Sequence, residues 1–276
     1  MIQEVPVALK RKEQKVANGE QFASFQKKPD FVVALARGLK VIEAFEGHPE
    51  GLTPADVAAQ AGLSTTAVRR SLATLELLGY AQSDSGTYHL TTGVLKLGFS
   101  YLASNPLTSV AQPVLKDLTN TVRESSSIGV LDGDEIVYVA RSTANRVMSI
   151  SQGIGSRLPA YCTSMGRVLL AALPDRDLAA YLKRVEVKPL TGKTITDKKT
   201  LAEIIRRVRS EGFALCDEEL ELGLRSLAVP IVAGEGRTLA AMNIGVHAAR
   251  VTAAEMTRRL LPVLREHARS LAESLA

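Results

Sequence analysis

From Phe31 onward the chain sets apolar stripes between turn signals. Val33, Leu35, Leu39, Val41, Ile42 and Phe45 recur at helical spacing up to Gly47, which predicts an amphipathic helix. A second helix opens at Thr53-Pro54-Ala55-Asp56. Thr53 suits the N-cap, Pro54 the first helical position, and Asp56 places a carboxylate in the first turn. Val57, Ala58 and Ala61 follow, and Gly62 then supplies a left-handed position that a side chain would resist. Ser64 caps a third helix carrying Val68, Leu72, Leu75 and Leu78, and Gly79 ends it. Residues 80–83 and 87–90 read as two short strands around Asp84-Ser85-Gly86. Thr91 or Thr92 caps a further helix to about Ser104, stopped by Asn105-Pro106.

The C-terminal half changes period. A helix is expected from Pro113, then strands at 127–131 and 136–141 around Asp132-Gly133-Asp134, and a third strand at 147–151. Helical patterns at 164–173, 175–183 and 197–211 precede strands at 213–217, 226–232 and 238–247, and Thr252 caps a last helix. Hairpin-linked strands interrupted by helices predict an α+β domain with an antiparallel sheet. The expected organisation is a flexible arm over 1–30, a winged helix-turn-helix over 31–91, a linker helix over 92–107 and a larger domain over 108–276.

Composition narrows the class. Hydrophobic residues make up 46% and charged residues 23% of 276 residues, ordinary values for a globular chain. No apolar run approaches the roughly 20 residues that span a bilayer, and the N-terminus lacks an apolar core with a cleavage site, so no membrane partner and a cytoplasmic location are expected. Cys162 and Cys216 fit neither a disulfide framework nor a CxxC site, and the four histidines are scattered, so no metal site and no cofactor are expected. The net charge of +5 says little about nucleic acid, because residues 31–91 carry four Lys/Arg against six Asp/Glu. A DNA-binding argument must rest on where the arginines lie.

In a helix-turn-helix the second helix lies in the major groove and reads bases from its N-terminal end. Val68, Leu72 and Leu75 would face inward, leaving Ser64, Thr65, Thr66, Arg69 and Arg70 outward. Hydroxyls suit phosphates and base edges, and arginine binds guanine in two places at once. Double-stranded DNA is the expected partner, and the hairpin would be the wing.

GLTPADVAAQAGLSTTAVRRSLATLELLGY resembles the winged-helix domain of the IclR family of bacterial regulators. DGDEIVYVAR, GSRLPAYCTSMGRVLLA, TITD and DEELELGLRSLAVPI resemble that family's effector-binding domain, so the likeness covers about 31–270. It is close to the branch that regulates protocatechuate, 4-hydroxybenzoate and β-ketoadipate catabolism. The resemblance implies a GAF/PAS-like effector domain, a homodimer or a dimer of dimers, and a small aromatic or dicarboxylic acid as effector.

Three segments offer pocket chemistry. Thr163 or Ser164 would cap the helix that follows Tyr161-Cys162, and a helix N-terminus attracts a carboxylate; Met165 stands beside them. Family members that take small keto acids tend to carry smaller residues where Ser164, Met165 and Asn243 stand. The resemblance places Cys216 and Ser226 near the ligand. Asn243 and Gly245 lie two apart on a strand and share a face. Arg141, Arg146 or Arg157 could pair with an acid, and Arg146 is retained as the candidate. The rival class is a small-molecule enzyme with a winged-helix dimerisation domain. It would need a nucleotide-binding glycine loop, and Gly153-Ile154-Gly155 lacks the third glycine; nor does any histidine stand in a motif that would activate Cys162 or Ser164.

Overall fold

The computed structural model describes residues 28–144, 153–234 and 236–275. The chain divides into two compact units between Ser100 and Tyr101.

In the first unit α1 (Val33–Glu43), α2 (Pro54–Ala61) and α3 (Thr65–Leu77) precede a hairpin of β1 (Ala81–Asp84) and β2 (Thr87–Leu90). Thr53 and Asp56 form a reciprocal capping box, with Asp56 N donating to Thr53 Oγ1 at 3.3 Å and Thr53 N to the Asp56 carboxylate at 3.2 Å. Gly62 takes φ 66°, the left-handed turn between α2 and α3, and Ser64 Oγ then accepts the Ala67 amide at 3.3 Å. Val41, Val57, Val68 and Leu72 are fully buried and hold the three helices together. Ser83 N donates to Glu76 Oε1 at 3.2 Å, tying the hairpin back to α3, and Leu52 makes a single antiparallel bridge to Tyr88 of the wing. Thr91 caps a 3-10 turn (Thr92–Val94) that runs into α4 (Leu95–Ser104).

The second unit is built on a six-stranded antiparallel sheet in the order β5-β4-β3-β8-β7-β6. Its strands are β3 (Ser125–Asp132), β4 (Glu135–Ser142), β5 (Arg157–Pro159), β6 (Ala214–Asp217), β7 (Leu224–Val232) and β8 (Thr238–His247). The helices are α5 (Pro106–Val122), α6 (Ser164–Ala171), α7 (Asp175–Arg184) and α8 (Lys198–Glu211), with a terminal run of α9 (Ala253–Glu255), a π turn (Met256–Leu260) and α10 (Leu261–Glu273). Strand alternation gives each face its own core. Met242, Ile244 and Val246 pack with Leu115, Leu118 and Leu264 from α5 and α10. Ala228 and Ala241 face Met165, Tyr181 and Ile205 from α6, α7 and α8.

Two expectations need comment. The helix expected from Pro113 begins at Pro106: Asn105 Oδ1 accepts the Leu107 amide at 3.0 Å and Pro106 takes the first position, so Pro113 falls inside the helix. An interior proline removes one backbone donor without ending a helix this well buried. The strand expected at 147–151 lies outside the described residues. Among the described residues no helix is long and apolar enough to cross a membrane.

Candidate ligand cavity and nucleic-acid interface

In the first unit Ser64, Thr65, Thr66, Arg69 and Arg70 are all exposed, as are Ala73 and Thr74 farther along α3, opposite the buried Val68, Leu72 and Leu75. The face is therefore open from the N-cap onward, with two adjacent guanidinium groups and three hydroxyls at its start.

In the second unit a cavity of about 670 Å³, mouth included, opens between the sheet and the start of α6. Seven of the expected residues line it: Thr163, Ser164, Met165, Cys216, Ser226, Asn243 and Gly245. The strand register explains the convergence. Ser125 pairs with Gly245, Gly245 with Ser226, and Ser226 with Cys216, so one row across β3, β8, β7 and β6 carries only small side chains. The adjacent row begins Arg141, Ser127, Asn243. Small residues in one row and polar ones in the next leave room above the sheet and chemistry at its rim.

The start of α6 forms the opposite wall. Thr163 Oγ1 accepts the Gly166 amide at 3.2 Å and donates to the Pro159 carbonyl at 3.1 Å. The first helical bond runs from Arg167 N to Thr163 O at 3.0 Å, so the amides of Ser164 and Met165 precede it. Gly166 is obligatory, since a Cβ there would lie 2.2 Å from the Ala160 carbonyl oxygen. Among the described residues four buried side-chain atoms have no protein partner, and two of them, Ser164 Oγ and Asn243 Oδ1, belong to this wall and sheet. Their residues are 1% and 7% exposed, and both line this cavity. Buried groups of this kind are nearly always satisfied, by protein, water or ligand.

Arg141 lines the cavity and its guanidinium stands 5.8 Å from the Tyr138 ring centre. Burial pushes the Tyr138 phenol up to about 12 against the lowering effect of Arg141, which keeps it a hydrogen-bond donor. Burial likewise pushes the Cys216 thiol up to about 12, Arg167 opposing and Glu219 and Asp217 adding to the rise. Arg157 is elsewhere: its fork is held at the exposed sheet edge by Glu135 at 2.8 Å and Asp132 at 2.7 Å, so it does not reach the cavity. Arg146 lies outside the described residues.

Sequence reasoning placed Glu219 only in an acidic loop beside Cys216, and it missed Tyr138, Ser125 and Ser127 as cavity residues and Arg167 behind them. Arg167, only 2% exposed, donates to Glu219 Oε1 and Oε2 at 2.6 and 2.5 Å and to the Tyr161 carbonyl at 3.0 Å. The available signal was a single charge inside the otherwise uncharged run SMGRVLLA, which has to find a partner if the whole helix is buried.

The family described as "Bacterial transcriptional regulator IclR C-terminal" matches residues 99–273, and "IclR helix-turn-helix domain" matches 34–85. The chain belongs to the IclR family. It is a transcriptional regulator, α+β in fold, with a helix-turn-helix ahead of the IclR C-terminal domain. It is 45% identical over 257 residues to the Pca regulon regulatory protein of Pseudomonas putida, spanning 93% of this chain and 88% of that one. A crystal structure of a transcriptional regulator from Rhodococcus sp. RHA1 matches with a TM-score of 0.80 at 46% identity, covering 89% of this chain and 98% of that one. A double mutant of the PobR inducer-binding domain from Acinetobacter, crystallised with 3-hydroxybenzoic acid, matches with a TM-score of 0.57 at 38% identity, over 59% of this chain and 96% of that domain.

Proposed function

We propose that this IclR-family regulator binds a small aromatic or dicarboxylic acid in the α6 cavity and thereby changes its hold on an operator. The observation that carries the reading is the pair of buried, unpartnered groups, Ser164 Oγ and Asn243 Oδ1, lining one cavity at a helix N-terminus. The carboxylate of a bound acid accepts from the Ser164 hydroxyl and meets the positive end of α6 and the Arg141 guanidinium, while Asn243 Oδ1, an acceptor, takes a donor such as a ring hydroxyl. Thr163, Met165, Cys216, Ser226 and Gly245 complete the site, with Arg146 contributing from outside the described residues. The PobR domain's complex with 3-hydroxybenzoic acid supports an aromatic acid. Protocatechuate, 4-hydroxybenzoate and β-ketoadipate are the compounds to test.

Operator DNA meets Ser64, Thr65, Thr66, Arg69 and Arg70 on α3. The protein acts as a homodimer or a pair of dimers in the cytoplasm, because one recognition helix reads too few bases for a genomic address. Leu95, Leu97 and Phe99 on α4, all exposed, support a subunit contact there. The working segments are an arm (1–30), the DNA-binding domain (31–91), the linker (92–107) and the effector domain (108–276). The site is a sensor and not a catalyst: a thiol held protonated at Cys216 is a poor nucleophile. Binding shifts the regulator only if the acid favours one arrangement of the DNA-binding domains. Calorimetry on the wild type and Ser164→Trp tests this. Binding of one of the three acids by the wild type and its loss in the variant are expected. A wild type that ignores all three overturns the class of ligand, and a variant that binds as tightly overturns the site.

A further inference from the structure

We propose that Arg167 is a positioning residue that cancels the charge of Glu219 and so makes the cavity selective for an anion. The inference rests on the acid-binding reading above. Among the described residues lining the cavity only Arg141 and Glu219 carry a full charge, and the two are opposite in sign. Left to themselves they would cancel, and a carboxylate effector would gain nothing from the wall while meeting a second carboxylate inside it. Like charges at close range in a low-dielectric site repel strongly.

Arg167 alters that balance from behind the wall. It is not a lining residue, yet its planar fork takes both oxygens of Glu219, at 2.6 and 2.5 Å. The Ile195 amide donates to Glu219 Oε2 as well, at 3.2 Å. The carboxylate is thus turned toward the protein and paired, and among the described residues Arg141 is left as the uncompensated charge facing the cavity. The same fork fixes geometry. Arg167 Nε donates to the Tyr161 carbonyl just ahead of the α6 cap, so one side chain joins the helix start to the 218–223 loop. That loop is held on its other side by Thr191 and Thr194, whose hydroxyls donate to the Glu218 and Glu219 carbonyls at 2.7 and 2.6 Å. A bidentate pair suits this task better than a lysine would, because the fork sets the orientation of the carboxylate as well as its charge.

A purely structural pair and a charge-setting pair predict different things. The test measures the affinity of an acid against its own carboxamide, by calorimetry at about pH 8, where ordinary carboxylates are ionised. The acid is whichever of protocatechuate, 4-hydroxybenzoate and β-ketoadipate binds the wild type. Glu219→Gln keeps the shape and leaves Arg167 unopposed, so preference for the acid over the amide should rise roughly tenfold. Arg167→Met exposes the ligand to the Glu219 carboxylate, so the preference should fall by a similar factor. The double variant should return near the wild-type ratio. Arg167→Met risks misfolding, but Glu219→Gln and the double variant carry the test without it. Equal weakening of acid and amide in every folded variant overturns the charge-setting role while leaving the acid-binding reading intact. Failure of all three acids to bind the wild type overturns both.

Discussion

Gly129 on β3 lies directly beneath Met165: a Cβ built at the glycine would come 3.1 Å from the Met165 Sδ. Met165 is 1% exposed and lines the cavity, so it has little room except toward the ligand. Gly129→Val should push the thioether into the cavity and lower effector affinity, with an overpacking cost to folding stability of about 1–3 kcal/mol. Operator binding without effector should stay at the wild-type level. Calorimetry and a DNA-binding titration on the same preparation check both halves.

Gly62 tests the turn in the first unit. It sits at φ 66°, and a Cβ there would meet nothing within 4 Å. The penalty for a side chain is therefore one of backbone alone. Gly62→Ala should cost about 1 kcal/mol, and Gly62→Asn less, because asparagine tolerates the left-handed region. Urea denaturation of the three proteins gives the ranking; equal stability of Ala and Gly forms would contradict it.

The first unit was almost wholly legible because its signals are local. Caps at Thr53 and Ser64, the left-handed Gly62 and the Val68-Leu72-Leu75 stripe each act within a few residues. Period-two alternation likewise put Asn243 and Gly245 on one face of β8. What escaped depends on strand order. Ser125 becomes a cavity residue only because β3 lies beside β8, and Glu219 finds its partner only in Arg167, 52 positions earlier. Nothing local to either segment announces the other. The same limit explains Arg157, whose partners Asp132 and Glu135 flank a hairpin more than 20 residues away.

The two arginines of α3 are exposed and adjacent. Arg69→Ala and Arg70→Ala should each weaken operator binding, by about 1–3 kcal/mol for whichever reads a guanine. A residue that touches only phosphate will instead weaken all sequences alike and flatten the salt dependence. Fluorescence anisotropy at several salt concentrations, on operator and on scrambled DNA, separates the two roles.

Cys216 offers a pH test. Its thiol is raised from 9.0 to about 12, chiefly by burial. An acid with a raised folded value keeps its proton longer in the native state than in the unfolded one. The stability tied to that proton is fully present below about pH 9 and is lost as pH climbs toward 12. Native protein at about pH 8 should leave Cys216 unmodified by iodoacetamide, and denatured protein should react readily. Rapid native labelling, read by mass spectrometry, would contradict the burial.

Arg141 is the described cation at the cavity wall, opposite Ser127 in the sheet register and beside the Tyr138 ring. If it meets the effector carboxylate, removing the charge costs more than removing the side chain's bulk. Arg141→Leu should lose acid binding by roughly tenfold or more, the scale of one charge-assisted hydrogen bond. Arg141→Lys should recover part of it, since the charge survives but the fork does not. Neither change should alter operator affinity without effector. The carboxamide counterpart of the acid supplies the control: its affinity should change far less in Arg141→Leu than that of the acid. A loss of the same size for both compounds would mean that Arg141 supports Tyr138 and the wall, and that the carboxylate is bound elsewhere.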